Sequence, residues 1–282
     1  MSASKILMRL GHFGRRPANV IRRAAVTIIA GALMLGSSAA PAQTPAQTLT
    51  QSPPRSASNA TPFVVAELFT SQGCSSCPPA DTVLSQLDAA ARETGAAVYP
   101  LSFHVDYWNY LGWRDPYSDA AFSRRQRQYA SVMRSSRVYT PQIIINGDDE
   151  MVGSKAKLVR RSVAKALAKS PSATLDLVQD SDGVQYRFGH SDGSVPSEHV
   201  IHFALASDAH SVAVRRGENS GRSLAHVNVV RKFRTETLAE TGPVPAELVA
   251  GLSADDPTDL VAYVQSIATG RIIAADRISS ND

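Results

Sequence analysis

Short apolar runs alternate with segments of helical periodicity between residues 62 and 170. The run 63–69 has the length and composition of a buried strand, and Val83, Leu84 and Leu87 recur at the spacing of one helical face. The order of such elements predicts an α/β layer domain over residues 62–170. The pattern predicts strands at 63–69, 96–105, 142–145 and 150–152 and helices at 81–92, 115–129 and 155–169.

Beyond Pro171 the pattern changes to strand-like runs, most of them separated by Gly, Asp, Ser or Pro turn residues, with no convincing amphipathic helix between them. Short strands of this kind are typical of antiparallel sandwiches and barrels. We therefore expect a small antiparallel all-β domain over residues 171–282. Six strands are predicted, at 174–178, 185–188, 199–206, 211–215, 224–233 and 260–267.

Residues 1–42 are predicted to be a signal peptide. Basic residues are followed by an uncharged apolar run from Ala24 to Leu35 and then by small residues to Ala42. This run is shorter than the ~20 residues that span a bilayer, so we expect no stable membrane span in the mature chain, with an uncleaved anchor as the alternative. Residues 43–61, rich in Ala, Thr, Gln, Pro and Ser, are predicted to be a flexible linker. We expect the rest of the chain to be periplasmic or secreted, in an oxidising compartment.

The distribution of charged residues along the chain bears on which partners the protein could bind. The chain has 282 residues, of which 43% are hydrophobic and 19% charged, enough for one large or two ordinary domains and unlike a disordered chain. It carries 29 Lys and Arg against 25 Asp and Glu, but six of the basic residues lie in residues 1–42. The remaining chain has 23 basic and 25 acidic side chains, a net charge of −2. We therefore expect no nucleic-acid partner.

Both cysteines of the chain lie in the motif Cys74-Ser75-Ser76-Cys77, between a predicted strand and a predicted helix. At a helix N-terminus, unpaired N–H groups and the helix dipole favour a thiolate. We therefore expect Cys74 to be an exposed nucleophile, and Cys77 to resolve the mixed disulfide that Cys74 forms. One alternative is an inert disulfide, whose four-residue ring gains only ~2 kcal/mol on the chain-entropy model. Another is a copper or zinc site completed by ligands such as His104.

Motifs beyond the cysteines bear on this interpretation. A strand before C-x-x-C at a helix start, and a later Thr140-Pro141 before a hairpin strand, resemble the thioredoxin superfamily, with the helix at 115–129 as an insertion. The resemblance implies an α/β thioredoxin-like fold, a cis peptide bond at Pro141 beside the dithiol, and Cys74 as nucleophile. Longer motifs are similar to a family of secreted bacterial thioredoxin-like proteins catalogued as domain of unknown function 1223, over about residues 62–278. These motifs lie at 67–81, 102–108, 111–116, 216–219 and 228–231.

Four other residues are candidates for a role at the dithiol. Glu67, on a buried strand, would take the proton from Cys77 during exchange, or is a structural acid with an ordinary partner. His104, at the end of a predicted strand, would tune the thiolate or complete a metal site, or is a hydrogen-bonded structural histidine. Trp108 and Trp113 belong to an aromatic cluster that would cover the dithiol or bind an apolar peptide, or that packs against the inserted helix.

These observations predict an exported thiol–disulfide oxidoreductase that acts on protein thiols or disulfides. We expect no cofactor beyond the redox-active disulfide Cys74–Cys77. The alternatives are a copper-binding module that uses Cys74, Cys77 and His104, and a non-catalytic scaffold with an inert disulfide. The predicted catalytic residues are Cys74, Cys77, Pro141 and Glu67, and the predicted substrate-binding residues are Thr140, Trp108 and Trp113.

Overall fold

The computed structural model describes residues 60–181, 183–252 and 257–280. The predicted signal peptide and almost all of the predicted linker lie outside these residues. The described chain begins with β1 (Val64–Thr70), α1 (Pro78–Thr94) and β2 (Val98–His104). β1 and β2 pair in parallel, so α1 is the crossover between them. Two prolines open α1, where missing N–H groups cost little, and Gly95 ends it in the left-handed region at φ 68°.

The second helix begins later than the sequence predicts. α2 (Ala120–Val132) follows Asp119, whose Oδ1 accepts a hydrogen bond from the Ala121 N–H at 2.7 Å. Asp115 and the proline after it lie in the preceding loop instead, because the Asp115 carboxylate is bound by other parts of the chain. The next elements are β3 (Gln142–Ile145), β4 (Asp149–Val152) and α3 (Ala156–Leu167), close to their predicted bounds.

The rest of the described chain consists almost wholly of strands. The two runs predicted at 199–206 and 211–215 are one strand of 15 residues, and two further strands were not predicted. Across the described residues, every helix is too short or too polar to cross a bilayer. The elements are β5 (Ala173–Asp180), β6 (Gly183–His190), β7 (His199–Ala213), β8 (Ser223–Thr237), β9 (Thr241–Pro243), α4 (Ala246–Val249), β10 (Thr258–Ser266) and β11 (Ile272–Ser279).

Eight strands form one mixed sheet, in the order β11-β10-β7-β8-β2-β1-β3-β4. The strands from the two parts of the chain meet at β2 and β8, which run parallel and pair at Ser102 and Val229. A second sheet contains β5, β6 and β9, all antiparallel. It packs through its own apolar core against β7 and β10.

The predicted fold class, an α/β thioredoxin-like domain followed by a small antiparallel all-β domain, is wrong. Strands outnumber helices eleven to four among the described residues, and strands from both parts of the chain share the eight-stranded sheet. The physical reason is that hydrophobic periodicity reports which face of a strand is buried, and not which strand lies beside it. The pairing of β2 with β8 therefore left no signal in the pattern.

Neighbouring residues of β1 face different cores. Val65 and Phe69 pack on the side of the sheet that α2 covers. Ala66 and Leu68 pack on the side that α1 and α3 cover. Because side chains alternate along a strand, the parity of a position in β1 decides which helix it meets. This alternation determines which residues can reach the dithiol.

Candidate functional site

The two cysteines form a disulfide in the loop that joins β1 to α1. Cys77 is the N-cap residue of α1, and its N–H donates to the carbonyl of Cys74 at 3.2 Å. Cys74 lies three positions earlier in this turn and is only 2% exposed. The expectation of an exposed Cys74 at the helix N-terminus is therefore wrong, because other segments close over it.

Two hydroxyl groups contact the sulfur of Cys74. Thr140 Oγ1 donates to Sγ at 3.2 Å, and Ser76 Oγ lies 3.3 Å from it. Thr140 Oγ1 also accepts a hydrogen bond from the indole N–H of Trp108 at 2.7 Å, which directs its own hydrogen towards the sulfur. Pro141 follows through a cis peptide bond, as the resemblance implied. Hydroxyl donors at these distances favour a thiolate at Cys74 once the disulfide is reduced.

A segment of the connection between β7 and β8 packs against the backbone of the CxxC loop; we call residues 216–219 the covering loop. Its Asn219 is fully buried and donates through Nδ2 to the carbonyls of Gln72 and Cys74, both at 2.9 Å. These two bonds hold the backbone on the N-terminal side of the disulfide. The covering loop thus connects the C-terminal strands directly to the CxxC loop.

The exposed edge of this contact is formed by Glu218. Its Oε2 accepts a hydrogen bond from the Ser75 N–H at 3.0 Å, and the hydrogen bonds from Ser75 lower the pKa of Glu218 below its usual value. Gly217 lies against Trp113 in the left-handed region, at φ 76°, where a Cβ atom would stand 3.3 Å from the Trp113 Cβ. Close packing and a left-handed backbone both favour glycine at this point of the covering loop.

Trp113 contacts the loop before the cysteines through Gln72. The indole N–H donates to Gln72 Oε1 at 3.0 Å, and the Gln72 backbone N–H donates to Asp115 Oδ2 at 2.8 Å. Gln72 Nε2 lies 3.4 Å from His226 Nε2. Trp113 therefore positions the segment that precedes the cysteines, whereas Trp108 acts on Thr140.

Four buried titratable side chains form a chain of contacts beside the CxxC loop. Asp115 Oδ2 lies 2.7 Å from His104 Nδ1, the rings of His104 and His226 are 4.6 Å apart, and His226 Nδ1 is 3.6 Å from Asp81 Oδ2. Burial alone would raise the pKa of Asp115, but the charge and hydrogen bond of His104 and two backbone N–H groups lower it below its usual value. These contacts link the loop before α2, the end of β2 and strand β8 to the first turn of α1.

Asp81 is a site residue that sequence reasoning missed. It lies four positions after Cys77, and its N–H donates to the Cys77 carbonyl at 3.1 Å. Its Oδ1 accepts the hydroxyl hydrogen of Thr70 at 2.9 Å, and the residue is 9% exposed. Residues four apart on a helix are neighbours on its surface, so this spacing was the available signal.

The structure does not bring Glu67 to the dithiol. Glu67 is fully buried on the side of β1 that faces α2, and Arg125 binds both of its oxygens, at 2.6 and 2.9 Å. Tyr263 donates to Oε1 at 2.8 Å, and Tyr129 donates to Oε2. Burial alone would lower the pKa of Arg125, but the charge of Glu67 raises it above its ordinary value. Glu67 therefore forms a buried ion pair with Arg125 and hydrogen bonds with two tyrosines, as the structural alternative predicted.

His104 contacts side chains rather than sulfur. Its ring lies against Asp115, His226 and Tyr117. Within residues 60–181, 183–252 and 257–280, no group of three or more His, Cys, Asp or Glu side chains is arranged to hold a metal ion.

The chain is similar to a family of known sequences and to solved structures. The sequence matches a family described as "Protein of unknown function (DUF1223)" over residues 65–265. The crystal structure of protein AGR_C_4864 from Agrobacterium tumefaciens is similar, with 28% identity, a TM-score of 0.59, and coverage of 78% of this chain and 94% of that chain. HBP35 of Porphyromonas gingivalis shares the fold at 12% identity and a TM-score of 0.52, covering 78% of this chain and 75% of that chain. No curated protein matches the sequence.

Proposed function

We propose that this chain, which belongs to the DUF1223 family of proteins of unknown function, exchanges disulfides with protein partners through Cys74 and Cys77. The observation that carries the proposal is the pair of hydroxyl contacts to Cys74 Sγ, from Thr140 at 3.2 Å and Ser76 at 3.3 Å. A disulfide with a purely structural role has no need of hydroxyl donors directed at one sulfur. Such donors stabilise a thiolate, which is the attacking species in exchange.

In the reducing direction, the thiolate of Cys74 attacks one sulfur of the partner disulfide. The bond between Cys74 and the partner forms, the partner's own S–S bond breaks, and one partner thiolate leaves. The thiol of Cys77 then loses its proton, and its thiolate attacks Cys74 Sγ. The Cys74–Cys77 bond forms and the second partner thiolate leaves. The dithiol loses two electrons, the partner gains two, and the protons pass to the partner thiolates; oxidation of a partner is the reverse.

We propose Asp81 as the group that accepts the proton of Cys77. It is a buried carboxyl one helical turn after Cys77, and His226 lies 3.6 Å from its Oδ2. A carboxylate beside a thiol acts as a general base in thiol exchange. The Thr70 hydroxyl donates to Asp81 Oδ1 at 2.9 Å and holds the carboxyl in position.

Exchange with a protein partner requires movement of the chain around the disulfide. Cys74 is 2% exposed and Cys77 is fully buried, so a folded partner cannot bring a sulfur into line with the disulfide in this conformation. We propose that the covering loop opens first, with loss of the Asn219 bonds to the Gln72 and Cys74 carbonyls. Loops that gate a site in this way are held by few contacts. We also propose that the reaction takes place outside the cytoplasm, since residues 1–42 have the pattern of a signal peptide.

The test compares the two single cysteine variants on a peptide disulfide. Cys74→Ser is expected to abolish exchange, whereas Cys77→Ser is expected to accumulate a mixed disulfide with the peptide, seen as an added mass that reductant removes. Equal activity of both variants would reject the assignment of roles. The reduction potential of the wild-type pair separates catalysis, at about −120 to −270 mV, from an inert scaffold, below about −300 mV.

A further inference from the structure

A cavity of about 450 Å³ lies on the α2 side of the sheet, and none of its lining residues belongs to the dithiol site. It is bordered by α2, β7, β8, β10 and the turn after β10. Its walls combine apolar side chains, among them Val132, Val200 and Ile267, with the buried polar groups Arg125, His202 and Gln265. The volume is in the ~300–1,000 Å³ range of small-molecule sites.

The orientation of Gln265 follows from its neighbours. The carbonyl of Gly270 can only accept a hydrogen bond, so the atom of Gln265 that faces it is the amide nitrogen Nε2. Gln265 Oε1 is therefore the atom that lies 2.8 Å from His202 Nε2. An amide oxygen can only accept, so His202 must carry a hydrogen on Nε2.

His202 is neutral, which fixes its other nitrogen. Burial, together with the positive charge of Arg125, lowers the pKa of His202 well below its ordinary value. A neutral imidazole with its hydrogen on Nε2 has a bare Nδ1, which accepts the Thr235 hydroxyl at 2.8 Å. His202 Nε2 is then a donor, and it cannot accept a hydrogen bond from Arg125 Nη1, which lies 3.5 Å away.

Arg125 consequently has donors without an acceptor. Its Nε and Nη2 bind Glu67, and Nη2 also reaches Tyr129 and Gln265. Because His202 Nε2 carries a hydrogen, Arg125 Nη1 has no hydrogen-bond acceptor among the described residues. The side chain is 4% exposed and it lines the cavity. A buried donor left unpaired is costly, so a group that supplies an acceptor here would be bound favourably.

We infer that this cavity binds a small apolar molecule with one neutral hydrogen-bond acceptor, such as a carbonyl oxygen, which accepts from Arg125 Nη1. The apolar walls match the body of such a molecule. A neutral acceptor is favoured over a carboxylate because Glu67 already compensates the charge of Arg125 through two hydrogen bonds. A second anion would be buried without a cation of its own.

The test uses acetophenone, ethylbenzene and benzoate as probes of similar size on the wild-type protein at pH 7, followed by NMR shifts of the Val132, Val200 and Ile267 methyl groups. Acetophenone is expected to bind saturably and at least ~10-fold more tightly than ethylbenzene, which lacks the acceptor. Benzoate is expected to bind more weakly than acetophenone. Equal affinity for acetophenone and ethylbenzene would overturn the role of Arg125, and stronger binding of benzoate would overturn the neutral class.

A filling variant locates the binding. Val132→Trp, at a half-buried position on the cavity wall, is expected to weaken acetophenone binding at least tenfold. Leu158→Trp introduces the same side chain at an exposed position on α3 that does not line the cavity, and it is expected to bind as wild type. Both variants are first checked for a wild-type melting curve. Undiminished binding by Val132→Trp, or no saturable shift with any probe on the wild-type protein, would reject the site.

Discussion

Removal of the Asn219 side chain tests whether the covering loop controls access to the disulfide. Asn219→Ala deletes the two hydrogen bonds to the Gln72 and Cys74 carbonyls and leaves both cysteines in place. Since Asn219 is fully buried, no solvent contact substitutes for these bonds while the loop is closed. The closed form therefore loses stability relative to the open form.

The magnitude follows from the number of bonds. Each neutral hydrogen bond contributes about 0.5–1.5 kcal/mol net, so two contribute about 1–3 kcal/mol. At about 1.4 kcal/mol per factor of ten, the equilibrium for opening rises ~5- to ~150-fold. The bond from Arg222 to Asn219 Oδ1 does not hold the covering loop against the CxxC loop, because the exposed Arg222 belongs to the same connection between β7 and β8.

The assay measures how fast a phosphine reductant opens the Cys74–Cys77 bond, with the new thiols trapped by alkylation and counted by mass spectrometry. Because Cys74 is 2% exposed, reduction follows opening, and the rate is expected to rise ~5- to ~150-fold in Asn219→Ala. Ser220→Ala is the matched control, since its hydroxyl donates to the Arg215 carbonyl and not to the CxxC loop. A rate within twofold of wild type in folded Asn219→Ala would refute the gating role of the covering loop.

Three further predictions concern buried acids. Asp81→Asn is expected to slow resolution of the mixed disulfide at least ~10-fold without slowing its formation, as general-base contributions are ~10²–10⁴-fold, and equal slowing of both steps would contradict its role. Glu67→Gln is expected to lower the free energy of unfolding by about 3–5 kcal/mol in urea melts, because Arg125 loses its counter-charge, while the reduction potential stays as in wild type. For Asp115, burial would raise the pKa but His104 and two N–H groups lower it, so its stabilisation is fully present above the unfolded pKa of about 3.9 and is lost as pH falls through the lower folded pKa. Urea melts between pH 5 and pH 2 are expected to show a shallower loss of stability in Asp115→Asn, and an unchanged slope would contradict this account.

Local patterns were sufficient for some elements of the fold and not for others. The strand at 142–145 has the predicted bounds because an apolar run is closed there by the Asn146-Gly147 turn. β9 escaped prediction because it has only three residues and contains Pro243. The runs at 199–206 and 211–215 form one strand, because bulges let β7 continue past its polar residues.

The residues of the candidate site also fall into two groups, those that a local pattern predicts and those that it does not. Cys74, Thr140 and Pro141 could be assigned from a short motif and a resemblance, and the structure brings them together. Glu67 was assigned from its place on a buried strand before the cysteines, but it lies two positions before Phe69 and shares the α2 side of β1 with it. Asn219 comes from a segment 145 positions after Cys74, and no local pattern predicts such a contact.

The pairing of β8 with β2 in the eight-stranded sheet brings residues from the C-terminal part of the chain to the CxxC loop. β8 lies beside β2, so the connection before β8 ends at the mouth of the loop between β1 and α1. The same strand supplies His226, whose ring packs on His104 and approaches Asp81. Residues up to 170 alone would hold the disulfide, Thr140 and Pro141, but neither the covering loop nor His226. We therefore expect access to the disulfide to depend on the C-terminal strands, and under the proposed disulfide exchange we expect selection among partners to depend on which of them can displace the covering loop.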